Sequence, residues 1–109
     1  MQEKDIELAE KALGTFVDTS INRIPENGQL VHKFSLPESQ IKASTDRARL
    51  KDDVVDEYVE FFESHNIHAE RDQKFGKILV TVDLRTCVLE PKQAAGLSVA
   101  MNAYRLENG

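Results

Sequence analysis

The sequence has one cysteine, no tryptophan and no long apolar run. One cysteine cannot form an intramolecular disulfide, which fits a protein of the reducing cytoplasm. No apolar run approaches the length of about 20 residues that spans a bilayer. The N-terminal segment MQEKDIELAEK alternates charged residues and lacks the apolar core of a signal peptide. We therefore expect a cytoplasmic protein with no membrane partner.

The short motifs that mark common enzyme and cofactor sites are also missing. The chain contains no GxxxxGKS/T or GxGxxG loop for nucleotide phosphates, no GxSxG nucleophile elbow, and no HExxH or CxxC metal motif. A Cys–His pair for nucleophilic catalysis cannot be identified either. The sequence therefore predicts no catalytic residues and no cofactor, and a protein that is not an enzyme.

One group of residues has some metal-binding character. His65 and His68 lie near three carboxylates in the sequence, those of Glu63, Glu70 and Asp72. Their spacing matches no established metal motif, so we predict no metal site.

Two further residues could carry chemistry, but each has a simpler interpretation. His32 lies on the apolar side of a predicted strand, and we expect it to be partly buried and hydrogen-bonded. Cys87 follows the strongest predicted strand and resembles a small buried apolar residue.

Composition and length describe one folded domain spanning residues 1–109. Hydrophobic residues make up 40% of the chain and charged residues 30%, which is typical of a globular protein. The net charge of −5 argues against general attraction to a phosphate backbone, although a local basic patch could still bind one.

Apolar periodicity predicts the secondary structure. Apolar residues recur every three or four positions in helices and every second position in strands. The predicted elements are a helix over 3–24 that ends at Pro25, a strand over 30–36 followed by a short helical turn, a helix over 45–65, strands over 67–72 and 77–85 joined by a turn at 73–76, and a helix over 91–106.

These elements follow the order α-β-α-β-β-α, which predicts an α+β fold. A small three-stranded sheet, including an antiparallel hairpin, would pack against amphipathic helices. Ile78, Val80, Val82 and Leu84 should line one face of the strongest strand. An exposed edge strand, or the last helix with its many small residues, could support a homodimer.

Charge is distributed unevenly over residues 42–63. Within one helix, bases before acids would oppose the helix dipole. Like charges four residues apart would also cost roughly 0.2–0.5 kcal/mol per pair. Because helix stability does not explain this order, we predict that both blocks contact a partner; a simple solvated surface is the alternative. The basic block comprises Lys42, Arg47, Arg49 and Lys51, and the acidic face comprises Asp52, Asp53, Asp56, Glu57, Glu60 and Glu63.

The predicted hairpin turn carries an aromatic residue among basic ones. Phe75 lies between Lys74 and Lys77, with Arg71 nearby in the sequence. An exposed ring in this setting could stack on a base or enter a pocket of a partner. The alternative is that Phe75 folds back under its own turn.

Two functional hypotheses follow. The first is a small acidic, non-catalytic protein-binding module, such as an adaptor, inhibitor or regulatory protein. The second is a nucleic-acid-binding regulator that uses a local basic patch, formed by the start of the 45–65 helix and the hairpin turn at 73–77. Salt dependence of binding distinguishes the two, because contacts to phosphates weaken steeply with added salt.

Overall fold

The computed structural model describes residues 1–108 of the chain. Within these residues, four helices and a three-stranded antiparallel sheet confirm the predicted α+β class and the predicted hairpin. In chain order the elements are α1 (Glu3–Asn27), β1 (Val31–Pro37), α2 (Glu38–Ser44), α3 (Asp52–Ser64), β2 (His68–Asp72), β3 (Lys77–Asp83) and α4 (Pro91–Asn108).

The sheet has the strand order β1-β3-β2, with β3 in the centre. Both pairings are antiparallel, and they place His32 and Val82 opposite each other, as well as Ala69 and Val80. The predicted alternation in β3 is confirmed, because Ile78, Val80 and Val82 are buried on one face. This face packs against α1 and α3 and forms the core.

The opposite face of the sheet remains at least partly exposed. It presents side chains of alternating strand positions from all three strands. They are Val31, Lys33 and Ser35 of β1, Leu79 and Thr81 of β3, and His68 and Glu70 of β2. The helices therefore cover only one side of the sheet.

Helix α1 continues past Pro25, so the predicted end of this helix is wrong. Proline lacks a backbone N–H, but its fixed φ is compatible with a helical turn. The helix ends instead at Gly28, whose φ of 66° places it in the left-handed region. Its N–H donates to the carbonyl of Ile24 at 2.8 Å, which is a frequent way to end a helix.

The predicted helix over 45–65 is also wrong at its start. Helix α2 ends at Ser44, and Asp46 then adopts a positive φ of 55°. The N–H of Arg47 donates to the carbonyl of Lys42 at 2.9 Å, so the chain turns out of the helix in a Schellman-type arrangement. Residues 45–51 form a loop, and α3 begins only at Asp52.

This boundary removes most of the conflict between the charge order and the helix dipole. Arg47, Arg49 and Lys51 precede α3, while Asp52 and Asp53 occupy its first turn. Carboxylates in the first turn stabilise a helix by typically 0.3–1 kcal/mol. Our inference that folding gains nothing from the order is therefore wrong for this half of the pattern. Only Glu63, in the last turn, still opposes the dipole.

Helix α4 packs mainly on α1 rather than on the sheet. Gln93 in its first turns donates to Asp18 at 3.1 Å, and Tyr104 lies against Gly28. Both contacts advance in the same direction along the two helices, so α4 runs parallel to α1. In the part of the chain that the structure describes, no helix is both long and apolar enough to cross a bilayer.

Candidate functional site

The most strongly constrained polar group is a buried carboxylate that sequence reasoning missed. Asp5 is fully buried in the first turn of α1. Arg47 from the loop donates to both of its oxygens, at 2.8 Å from Nη2 to Oδ2 and through Nη1 to Oδ1. The hydroxyl of Tyr58 in α3 donates to Oδ1 at 2.7 Å. The Asp5 cluster (Asp5, Arg47 and Tyr58) therefore ties together α1, the loop and α3.

Each member of the Asp5 cluster changes the protonation of the others. The hydrogen bonds from Arg47 lower the pKa of Asp5 to about 2, against the opposing effect of burial. Burial raises the pKa of Tyr58, and its hydrogen bond to Asp5 raises it further. The same carboxylate raises the pKa of Arg47. The cluster is thus held as an ion pair with a neutral phenol at ordinary pH, and it positions the loop.

This arrangement changes the meaning of one predicted site residue. Arg47 was predicted to contact a partner, but its guanidinium is occupied by Asp5 and its side chain is mostly buried. The missed signal was Asp5 itself, which lies three residues before Leu8 and four before Ala9 on the buried face of α1. An acidic residue on an apolar helix face points to a buried ion pair.

The hairpin tip (residues 73–77) presents its aromatic ring to solvent. Phe75 is 67% exposed, which decides between the two sequence interpretations in favour of an outward-facing ring. The ammonium groups of Lys74 and Lys77 lie 5.4 and 5.5 Å from its centroid, within the range of cation–π contacts. The structure therefore brings these three predicted residues together.

The base of the hairpin is anchored by Arg71. Its Nη2 donates to Glu38 Oε1 at 2.9 Å, with a longer 3.4 Å contact from Nε to Oε2. Its Nη1 donates to Asp52 at 2.5 Å. These two carboxylates lie at the starts of α2 and α3, and their hydrogen bonds raise the pKa of Arg71. Arg71 is thus engaged within the molecule and fixes the hairpin against two helices.

Two backbone contacts restrict the tip further. The N–H of Glu38 donates to the carbonyl of Gly76 at 2.9 Å. The N–H of Phe75 donates to the carboxylate of Asp72 at 3.3 Å. Gly76 has a φ of 60°, which glycine adopts without strain. These hydrogen bonds therefore restrain the backbone of the turn that carries the exposed ring.

The remaining basic residues lie elsewhere. Lys42 is half-buried near the end of α2. Arg49 and Lys51 are exposed in the loop, beside a shallow depression lined also by Gln2 and Val54. Neither Arg49 nor Lys51 forms an ion pair within residues 1–108. The predicted basic block is therefore split between an internal ion pair and exposed loop positions.

The predicted acidic face is also divided between residues that form ion pairs within the molecule and residues that are exposed. Asp52 pairs with Arg71, and the carboxylate of Glu57 lies 3.0 Å from the α-amino group of Met1. The other four members are exposed on α3 and have no ion-pair partner among residues 1–108. We call these four the acidic ridge; they are Asp53, Asp56, Glu60 and Glu63.

The histidines and the cysteine occupy local structural positions. His32 is buried, and its Nε2 lies 2.8 Å from the carbonyl of Gln29, as predicted. His65 contacts the carbonyl of Phe61 through Nδ1 at 2.9 Å, while His68 is exposed and 3.9 Å from Glu70. Within residues 1–108, no three His, Cys, Asp or Glu side chains are grouped to hold a metal ion.

Cys87 follows β3 and is buried, as expected of a small apolar residue. Burial raises the pKa of its thiol.

Comparison with known proteins gives no relative from which a function could be transferred. No protein-family model, no curated protein and no solved structure matches the chain.

Proposed function

We propose that this protein is a small non-catalytic protein-binding module, acting as an adaptor, inhibitor or regulatory protein. The observation that carries this proposal is the exposed ring of Phe75 between two lysines on a held hairpin tip. Large aromatic side chains dominate binding energy when they enter a partner's pocket. The free thiol of Cys87 is compatible with a role in the cytoplasm.

The anchoring of the tip supports binding rather than exposure by chance. Immobilising a loop on association costs free energy, and a turn that is already held avoids part of that cost. Arg71 and the Glu38–Gly76 backbone bond hold the turn before any partner arrives. The backbone that carries the ring is therefore held in place before binding.

The charges around the tip define the chemistry of its partner. Lys74 and Lys77 would be matched by carboxylates at the rim of an apolar pocket. The acidic ridge of α3 is a second partner-facing surface in this proposal, and it would select a basic segment. The two surfaces have opposite charge, so one partner or two could occupy them.

Binding to nucleic acid is a second candidate, supported by the same tip. An aromatic ring flanked by lysines can stack on a base while the ammonium groups contact phosphates. Arg47 and Arg71 cannot be counted for this surface, because both are engaged by carboxylates within the molecule. The free cations that remain for it are fewer than the sequence suggested.

A quantitative pull-down with tagged full-length protein tests the proposal. We expect one protein to be recovered in stoichiometric amount, to be lost with Phe75→Ala, and to be retained by Val88→Ala. Val88 is a matched control because it is an exposed apolar side chain outside the hairpin. Recovery of no stoichiometric protein, or equal recovery by Phe75→Ala, contradicts the proposal.

Labelled single-stranded RNA and DNA test the second candidate. If the tip binds nucleic acid, retention at low salt should fall steeply as salt rises, and Lys74→Ala should reduce the slope by about one. No retention at about 50 mM salt eliminates this candidate.

The acidic ridge has a separate test. Replacing Asp56 and Glu60 with lysine should release a partner that recognises the ridge, since charge reversal introduces repulsion as well as removing attraction. If the partner binds the double variant with unchanged affinity, the ridge is only solvated surface.

A further inference from the structure

The two edges of the sheet are protected to very different degrees. The strand order makes β1 and β2 the edge strands. Helix α3 packs beside β2, and Ala69 in that strand is only 2% exposed with its backbone included. In β1, by contrast, Val31 is 40% exposed, and Lys33 and Ser35 are exposed as well. Because an open edge can pair with another strand, proteins usually cover it, and β1 is the edge left uncovered.

Hydrogen bonds at the two ends of β1 fix which of its residues bond to β3. The N–H of Leu84 donates to the carbonyl of Leu30, and the N–H of Glu38 donates to the carbonyl of Gly76, both at 2.9 Å. Leu30 and Glu38 are an even number of residues apart, and bonded pairs alternate with non-bonded pairs along antiparallel strands. The residues of β1 that bond to β3 are therefore His32, Phe34 and Leu36.

The intervening residues direct their backbone groups away from the sheet. The N–H and C=O groups of Val31, Lys33 and Ser35 point outward, and no turn, loop or cap backbone group in residues 1–108 bonds to them. We call these three residues the β1 edge. Their donors and acceptors recur at every second residue, which is the repeat of an extended chain. The β1 edge is therefore complementary to the backbone of an added strand.

A cavity of about 300 Å³ lies beside this edge, between α1, the end of β1 and α2. Its apolar lining comes from Leu8, Ala12 and Phe16 of α1 and from Leu36 of β1. Paired residues of neighbouring strands project to the same face of a sheet. A side chain of an added strand next to Leu36 would therefore enter this cavity. Strand addition commonly gains its specificity from such pockets for alternate side chains.

The charges along β1 differ in sign from those of the molecule as a whole. Lys11 lines this cavity, and Arg23 and Lys33 line a second depression at the other end of β1. None of these three cations forms an ion pair within residues 1–108. Glu26 is the only acidic residue that lines either depression, although the chain has a net charge of −5. An acidic segment is thus the complementary occupant.

A second copy of this chain does not meet these requirements. Two β1 strands paired about a two-fold axis centred on Lys33 would place the two lysines directly opposite each other, which is destabilising. The net charge of −5 on each copy adds repulsion. Lysine on an edge strand is a common device against self-association. Toward an acidic partner, the same lysine provides attraction.

We propose that β1 is a strand-addition site, which takes up an extended acidic segment of a partner protein with apolar residues at alternate positions. Its acidic side chains lie beside Lys33 on the open face of the sheet, and its apolar side chains lie on the face of the core. This inference rests on the proposed function only in taking the partner to be a protein, because it uses neither the hairpin tip nor the acidic ridge.

Nuclear magnetic resonance of the full chain, titrated with a synthetic peptide, tests the proposal. The peptide has the length of β1, alternates glutamate with valine and is capped at both ends. We expect saturable shifts of the amide signals of Val31, Lys33 and Ser35. When about nine-tenths of the protein is occupied, hydrogen exchange at these amides should slow about tenfold, because only free protein exchanges. Absence of a saturable shift up to about 5 mM peptide overturns the proposal.

Two control peptides separate backbone pairing from charge. N-methylation of the glutamates removes the N–H groups that face β1 but keeps the charge, so binding should be lost. Lysine in place of glutamate keeps the backbone, and this peptide should bind at least about tenfold more weakly. Equal binding by the methylated peptide overturns strand addition, and equal binding by the lysine peptide overturns the acidic partner.

A matched pair of protein variants tests the charge from the other side. Lys33→Glu should weaken binding of the glutamate peptide at least about tenfold, since attraction is replaced by repulsion. Lys92→Glu makes the same change of charge at an exposed position of α4 and should bind as wild type does. Equal binding by Lys33→Glu, or equal weakening by Lys92→Glu, overturns the proposal. Failure here leaves the hairpin tip untouched, because the tip is tested by loss of a cellular partner in Phe75→Ala.

Discussion

Replacing Asp5 with asparagine removes the buried carboxylate that joins α1, the 45–51 loop and α3. The change keeps the shape of the side chain but leaves Arg47 without its counter-ion and Tyr58 with a weaker acceptor. Breaking a fully buried ion pair costs about 3–5 kcal/mol. Arg47 keeps some access to water, so we expect the low end of that range, about 3 kcal/mol.

The pH dependence of this stability difference is a sharper test than its absolute size. The pKa of Asp5 is lowered to about 2 from the ordinary value of 3.8. A lowered pKa stabilises the folded state above the unfolded pKa, and this stabilisation disappears as the pH falls through the folded value. A difference of nearly two pKa units corresponds to about 2 kcal/mol. The stability advantage of wild type over Asp5→Asn should shrink by that amount between about pH 5 and pH 2.

Urea unfolding followed by far-ultraviolet circular dichroism at several pH values measures this advantage. Subtracting the free energy of unfolding of Asp5→Asn from that of wild type at each pH removes the contribution of the other acidic residues. An advantage that is the same at pH 5 and pH 2 would refute the reasoning, because the carboxylate would then titrate alike in the folded and unfolded chains. Tyr58→Phe is the companion variant. It should lower the free energy of unfolding by about 1.5–3 kcal/mol in the wild-type background, because a hydrogen bond to a carboxylate is lost. The loss should be much smaller in the Asp5→Asn background.

Three further substitutions test the backbone and the hairpin anchor. Gly28→Ala should lower stability by about 1–3 kcal/mol, because its φ is positive and a Cβ would overlap the Tyr104 ring; an unchanged melting temperature would contradict this. Gly14→Ala is the opposite case: a Cβ there meets nothing within 4 Å, so the helix should gain about 0.5–1 kcal/mol in chemical denaturation. Arg71→Lys should cost up to about 1 kcal/mol of stability, since an ammonium cannot replace the guanidinium fork on Glu38. The same variant should weaken capture of a tip-binding partner, and full binding would mean that the anchor does not hold the tip.

The elements with a strong local period were predicted well. The alternation of Ile78, Val80 and Val82 specified both the strand and its buried face, because a strand exposes every second side chain to one side. Pro25 misled the prediction of the end of α1, since proline in the last turn removes a donor without forbidding the helical φ. Gly28 was the better signal, because glycine adopts a left-handed φ readily.

The loop before α3 shows what local patterns miss. Nothing near Arg47 in the sequence indicates that its partner is Asp5, 42 residues away. Residues 45–51, which include Arg47, form a loop, so α3 begins seven residues later than predicted. The apparent conflict in the charge order arose from extending α3 back over this loop.

The sequence by itself determined the fold class, the hairpin and the apolar faces, because these follow from the repeat of side chains along a helix or strand. The tertiary structure alone decided which charges face solvent. Arg47 and Arg71 are drawn to carboxylates on other elements, while the lysines of the hairpin tip and the acidic ridge keep their contact with water. A charge is neutralised by whatever the fold brings within a few ångströms of it, and distance in space is not encoded in any local pattern.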